Sequence, residues 1–507
     1  MSNDATFKGR ILVTGATGYV GGRLVTRLVD EGYNVRVMTR NQRHLQGRNW
    51  LNRVEVVEAD VLEPDTLNKA LQDVDAAYYL IHSMYDTDNY YERDAQAAGN
   101  FVKAADAAGV QRILYLGGLG DADEDLSKHL ESRQHVGSIL RKAEADVLEY
   151  RAAVVIGSGS ISFEMIRHLT ERLPVMLCPS WLYTPTQPIA VRDVITYLIS
   201  GLTVDIEGDA VVEIGGPERM TYRNMITGYG KARKLRRIMI PIPLLFPRLS
   251  SYWVHWLTPI PAKITRPLAE SLRNATVVTD DSARRLFPDI HPMNFTEAIN
   301  LALDELNAHS VETTWTDSMA ATWRTEEPYT FVEERGMLIE QRVRHIDADP
   351  MTIYQTFVAL GGEVGWLHWN FLWRIRGLMD RVMGGVGYRY GRRHPSQLRV
   401  GDPVDFWRVE AIKPGELLRL RAEMLMPGRG WLQFQVKKDE ESNRSKLVQT
   451  AYFAPKGLFG NIYWYALYFA HKQIFDGMIN KVCELSEAQA KSQEQEKAQE
   501  IAEATPS

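Results

Sequence analysis

The sequence predicts an α/β fold: a Rossmann-type domain with a doubly wound parallel sheet over residues 1–305, followed by a smaller α+β domain. Three observations carry this. Short β-branched runs alternate with longer helical ones from Arg10 onwards, and a glycine-rich turn joins the first run to the first helix. Past Arg335 the continuous apolar strands give way to alternating ones.

The runs ILVTG, VRVMT, VEVVEA, AAYYLIH and RILYLGG are apolar without alternation, as strands covered by helices on both faces are. Helices are expected over Tyr19–Asp30, Pro64–Leu71 and Tyr90–Ala108, with Gly32 and Gly109 marking helix ends. Residues 306–334 lose all periodicity and read as a linker. In residues 335–485, LLRLRAEM and WLQFQVKK alternate, the mark of antiparallel strands with one wet face. Tyr468, Phe475, Met478 and Val482 share one stripe of a closing helix. Residues 486–507 have no sizeable apolar face and read as a frayed or disordered tail.

A length of 507 residues calls for two or three domains. A net charge of -5 argues against nucleic acid as the main partner, because phosphate binding needs clustered positive charge. Two distant cysteines, Cys178 and Cys483, exclude a disulfide framework and a thiolate zinc site, so no metal is expected. There is no signal-peptide pattern, and no run reaches the roughly eighteen apolar residues of a spanning helix. The expectation is a soluble cytoplasmic protein.

The strongest motif is TGATGYVGG, with Gly15, Gly18 and Gly21 after the first strand. One glycine permits the tight strand-to-helix turn, the next lets backbone approach a pyrophosphate, and the third lets helix pack on strand. The phosphate then sits on the free N–H groups at the helix start, with Thr17, Tyr19 and Val20 around it. The second strand ends in Arg40, where an acid would hold the ribose of NAD; guanidinium matches a 2′-phosphate instead. NADP(H) is therefore the preferred cofactor, with NAD(H) as the alternative, and Arg36 and Arg43 lie near in sequence. Asp60 and Val61 follow the third strand, placed to bracket an adenine. His82 and Ser83 follow the fourth, near the expected ribose and nicotinamide.

TGATGYVG, the Asp60–Val61 pair, LGGLG after the fifth strand, IAVRDVITYL and EIGGPERMTYRNM resemble the atypical short-chain dehydrogenase/reductases over residues 8–305. The NmrA-like and complex I accessory-subunit-like branches are the most similar. The resemblance implies an extended Rossmann fold with a smaller C-terminal substrate lobe from about residue 174, and it adds Gly117 of the fifth-strand motif to the cofactor site. It also implies a tyrosine four residues before a lysine, the lysine lowering the tyrosine pKa. Here His135 aligns with that tyrosine and Ile139 with the lysine. The two matches to the spacing, Tyr452–Lys456 and Tyr468–Lys472, lie in the other domain. His135 and His82 are the substitute proton donors. Three functions stay open: a reductase with substitute groups, a non-catalytic redox sensor or assembly factor, and a nucleotide-sugar epimerase or dehydratase, the last disfavoured by the missing tyrosine.

The order of elements in residues 335–485 resembles a START-like helix-grip domain, which implies an apolar cavity. Trp366, Trp369, Phe371, Trp373, Trp407, Trp431 and Trp464 are suited either to line it or to fill a core. An apolar small molecule is the expected ligand: a quinone, a lipid or a polyketide-like compound. The basic, aromatic stretch WLHWNFLWRIRGLMDRVMGG is suited to a peripheral membrane contact or to docking on the first domain.

Overall fold

The computed structural model describes residues 7–45, 48–82, 90–121, 126–241, 270–307, 313, 338–387, 391–438, 444–455 and 457–504. The chain divides into two compact units, residues 1–324 and 325–507.

In the first unit, β1 (Arg10–Val13), β2 (Asn34–Thr39), β3 (Glu55–Glu58), β4 (Ala76–Tyr79), β5 (Arg112–Gly118) and β6 (Asp146–Ala152) form a parallel sheet with the strand Ala210–Ile214. Its order is Ala210–Ile214, β6, β5, β4, β1, β2, β3. The period of two along β1 explains the sandwich. Ile11 and Val13 pack with Leu24 and Leu28 of α1 (Tyr19–Asp30) and with Val194 and Leu198. Leu12 points the other way, to Leu67 of α2 (Pro64–Leu71) and Phe101 of α3 (Tyr90–Ala108). All three β1 side chains are fully buried, each contributing about 1.5–3 kcal/mol. The chain runs outward from β1 through β2 and β3, then returns to β4 on the other side of β1. That reversal opens a crevice at the carboxyl ends of the strands.

Arg36 does not reach this crevice. It sits mid-strand, 5% exposed, and donates to the carbonyls of Ala70 (3.0 Å) and Gln72 (2.6 Å), which end α2. A mid-strand side chain faces the helix above it; only the residue after the strand faces the crevice. Of the expected linker, residues 306–307 end the helix Phe295–Asn307, and the one other described residue is Thr313, whose hydroxyl donates to the Tyr19 carbonyl at 2.8 Å.

The second unit is an antiparallel sheet in the order Leu338–Ile346, Ser445–Pro455, Gly428–Lys438, Leu417–Ala422, Trp407–Lys413, Pro403–Val404. Leu418, Leu420, Leu432, Phe434 and Val436 fill its core. The expected wet face is partly closed: Gln433 is buried and accepts from Arg419 Nε at 2.8 Å. A helix over Gly457–Ala504 packs on the two strands Leu338–Ile346 and Ser445–Pro455. Phe475, Met478 and Val482 are buried as expected, whereas Tyr468 of the same stripe is exposed. The tail expected to be disordered is helical as far as Ala504. Its alanines, glutamates, glutamines and lysines are strong helix formers, so it extends the preceding helix without needing an apolar face. Among the described residues, no helix is long and apolar enough to cross a membrane.

Candidate active site

The glycine loop has the geometry of a phosphate cradle. Gly15 has φ +66°, a left-handed conformation strained for other residues, and a Cβ there would lie 2.5 Å from the Leu80 carbonyl oxygen. A Cβ on Gly21 would lie 2.3 Å from the Gly15 carbonyl oxygen, so helix and turn meet only because both residues are glycine. Gly18 caps α1 with extended backbone and no side-chain cap bond, which leaves first-turn N–H groups for an anion. A groove of about 370 Å³ opens here. Gly15, Thr17, Gly18, Tyr19, Val20, Gly21, Arg40, Asp60, Val61 and His82 all line it. The turn after β3 is braced: Asp60 Oδ1 accepts from the Leu62 amide at 2.9 Å, and Asn100 donates to the Val61 carbonyl at 2.9 Å. Ser83 lies outside the described residues, as does the Arg43 side chain.

Among the groove-lining residues that the sequence reading missed are His129 and Arg133. Both stand on α4 (Lys128–Leu140), whose start is capped by the Ser127 hydroxyl accepting from the Leu130 amide at 3.3 Å. Four residues apart, they share one helix face, at the spacing the resemblance reserves for tyrosine and lysine. His135 is six residues from His129, about 240° around the helix at 3.6 residues per turn. It stacks on Tyr91 at 5.2 Å and is not among the groove-lining residues. His129, and not His135, is thus the histidine of this helix that lines the groove.

His129 belongs to a chain of polar contacts. Asp94, 3% exposed, meets His82 Nδ1 at 2.9 Å; His82 Nε2 meets His129 Nε2 at 3.2 Å; His129 Nδ1 meets Ser271 Oγ at 3.3 Å. Burial holds the His129 pKa well below its usual value, with the neighbouring His82 and Arg133 acting in the same direction. Burial lowers His82 too, although its bond to Asp94 opposes the shift. Both rings are therefore neutral near pH 7, and their partners assign the tautomers. The Ser271 hydroxyl donates to His129 Nδ1, His129 Nε2–H to His82 Nε2, and His82 Nδ1–H to Asp94. Arg133 donates to the Leu116 carbonyl and lies over the Tyr115 ring at 5.0 Å. Tyr115 is pushed up to about 12 by burial, so it is a weak acid here.

A second cavity of about 220 Å³ adjoins the groove, walled by Met165, Ile166, Leu169, Trp181, Leu182 and Ile226 of the lobe. His129 and Arg133 line both spaces, and Ser271 lines the second. Gly117, expected at the cofactor, lines this apolar cavity instead, since it lies near the end of β5, where the strand faces the lobe. Tyr452 and Tyr468 belong to the second unit.

Comparison with known proteins agrees with this geometry. Residues 15–154 match a family model described as NAD(P)H-binding, and residues 337–478 match one described as a protein of unknown function (DUF2867). The chain is 33% identical over 117 residues to a 3 beta-hydroxysteroid dehydrogenase/Delta 5→4-isomerase of Mycobacterium tuberculosis, covering 21% of this chain and 31% of that one. It is 27% identical over 179 residues to the ceramide reductase of Caulobacter vibrioides, covering 35% and 55%. It is 23% identical over 285 residues to the mitochondrial NADH-ubiquinone oxidoreductase 40 kDa subunit of Neurospora crassa, covering 55% and 70%. The chain thus spans about a third of the length of the hydroxysteroid dehydrogenases and about half that of the ceramide reductase. Residues 15–154 of the first unit thus match an NAD(P)H-binding domain, on a parallel sheet of the Rossmann type.

Proposed function

We propose that the chain is an NADP(H)-dependent oxidoreductase acting on an apolar carbonyl compound or the corresponding alcohol, held in the lobe cavity of the first unit. The observation that carries this is the position of His129 and Arg133 on the wall between the cofactor groove and the apolar cavity. The glycine cradle and the uncapped start of α1 fit the pyrophosphate, and Arg40 fits a 2′-phosphate. Bound NADPH supplies a hydride. The chain's own task is then the proton. As assigned, every hydrogen bond from Ser271 to Asp94 points inward, so the chain can take a proton from a substrate hydroxyl. With one more proton, held as a His82 imidazolium against Asp94, the two outer bonds reverse, and the Ser271 hydroxyl can give a proton outward while His129 Nδ1–H replaces it. Reduction uses this second form: the carbonyl carbon takes the hydride, its π pair moves to oxygen, and that oxygen takes the Ser271 proton. Arg133 keeps a positive charge beside the oxygen as it becomes negative.

Because burial lowers both histidines, the proton-loaded form gains population only as pH falls below the usual histidine value of about 6.5. The test is NADPH oxidation with a steroid ketone, a long-chain aldehyde and a short-chain quinone, followed against pH. Reduction should speed up as pH falls through that range and alcohol oxidation should slow. Turnover independent of pH would contradict the relay. NADPH binding with no turnover on any of the three would favour the sensor.

A further inference from the structure

The second unit encloses a cavity of about 250 Å³ between the helix Asn370–Val382, the sheet and the helix Gly457–Ala504. Most of its wall is apolar, with Met424, Trp431, Phe453 and Phe475 among the lining residues. Some of its polar groups are donors without acceptors. Two other indole N–H groups of this core are satisfied: Trp366 donates to Asp405 at 3.0 Å, and Trp431, itself on the cavity wall, donates to Glu410 at 3.2 Å. Trp373 and Trp407 also line the cavity, 6% and 5% exposed, and among the described residues neither indole nitrogen has a hydrogen-bond partner.

A cation stands beside them. Arg376 lies three residues after Trp373, on the same side of its helix, and lines the same space. One guanidinium nitrogen donates to the Leu425 carbonyl at 2.6 Å, while Nη1 is buried without a hydrogen bond. The one acid near it, Asp380, is 3.6 Å from Nη1 and accepts instead from the Leu425 amide at 2.6 Å and the Gly387 amide at 2.7 Å. His471, across the cavity on the last helix, also has a buried, unpartnered Nδ1. Burial, with Arg376 and Arg342 adding to it, pushes His471 down to about 4, so it is neutral at pH 7. Buried donors without acceptors are costly and rare in native proteins. Three donors from two indoles and a guanidinium in one apolar cavity are what an anionic acceptor with an apolar body would satisfy.

We infer that this cavity binds an amphipathic acid, its carboxylate taken up by the N–H groups of Trp373, Trp407 and Arg376 and its apolar body lying against Met424, Trp431 and Phe453. The site is independent of the chemistry in the first unit. It also sharpens the expectation of an apolar ligand: an acid offers Arg376 Nη1 the charged hydrogen-bond acceptor that a neutral lipid or quinone does not.

The test is calorimetric titration of the full chain with decanoate and with decan-1-ol at pH 7.5, below the concentration at which either aggregates. A charge-assisted contact should make decanoate bind at least about tenfold more tightly than the alcohol. Trp373→Phe keeps the ring and deletes only the N–H, so it should weaken decanoate severalfold and leave the alcohol unchanged. Arg376→Met should remove the preference. Because that change strands Asp380, cooperative unfolding of each variant is checked, and Trp373→Phe stands alone if Arg376→Met does not fold. In ¹H–¹⁵N spectra, the indole signals lost in Trp373→Phe and Trp407→Phe should be those that move with decanoate. Equal affinity for acid and alcohol, a preference that survives Trp373→Phe, or no binding of decanoate to the wild type would each overturn the proposal. NADPH affinity should be the same in all variants, which separates this result from the first unit's function.

Discussion

His129 and His135 differ by less than two helical turns, yet only one is placed to act. If His129 passes the proton to Ser271 at the lobe cavity, His129→Ala should lower turnover by about 10²-fold or more, within the range for lost general acid–base groups. NADPH affinity should hardly change, and His135→Ala should be silent in both. Steady-state kinetics with fluorescence titration checks this; equal effects from the two changes would return the assignment to the sequence alignment. Arg40 gives a second test at this scale. Its guanidinium should favour NADPH over NADH by about tenfold, or about 1.4 kcal/mol, and Arg40→Ala should remove most of that preference. The glycine cradle was readable because its demands are local: a left-handed Gly15 and a Gly21 in contact with it leave a fixed spacing in the chain. The relay was not, since Asp94, His82, His129 and Ser271 come from four separated segments. The one local signal was an imidazole and a guanidinium four residues apart just after the capping Ser127, and phasing the helix from that cap would have found it.

Elements follow the sequence where their periodicity is unambiguous. In β1 the alternation of Ile11 and Val13 against Leu12 divides the core between two helix layers. Leu12→Ala should therefore cost about 2–5 kcal/mol, as large-to-small changes at fully buried sites do. Chemical denaturation measures it, and a loss under 1 kcal/mol would mean that the second layer is loosely packed. Gly18→Val probes the start of α1: NADPH and NADH should both cease to bind while the far-ultraviolet spectrum stays unchanged. The terminal helix shows the limit of pattern reading. Lack of an apolar face in residues 486–507 excluded packing against a core but not helix, because intrinsic propensity and continuity with a docked helix suffice. In the same way, Gln433 sits at a polar position of an alternating strand and is buried, since Arg419 supplies its partner.

At the scale of the molecule, the second unit should lose stability in acid. His471 packs beside Trp464 and Phe475 in the second unit and is held at about 4, below its unfolded value of about 6.5. A depressed histidine means that the unfolded chain binds the proton first. Stability should therefore fall as pH drops from about 6.5 towards 4, by about 1.4 kcal/mol per pH unit, and level off below. His471→Phe should flatten that slope in the second unit's unfolding. Expressed separately, residues 1–324 should bind NADPH and residues 325–507 should unfold cooperatively, because each has its own buried core. The measurement that tests the central claim most directly is a structure of the chain with NADP⁺ bound. The account predicts the pyrophosphate on the amides at Gly18 and the nicotinamide C4 at the opening shared by the two cavities, with His129 as the nearest titratable side chain. A nicotinamide turned away from that opening, or a C4 walled off from the lobe cavity, would contradict it.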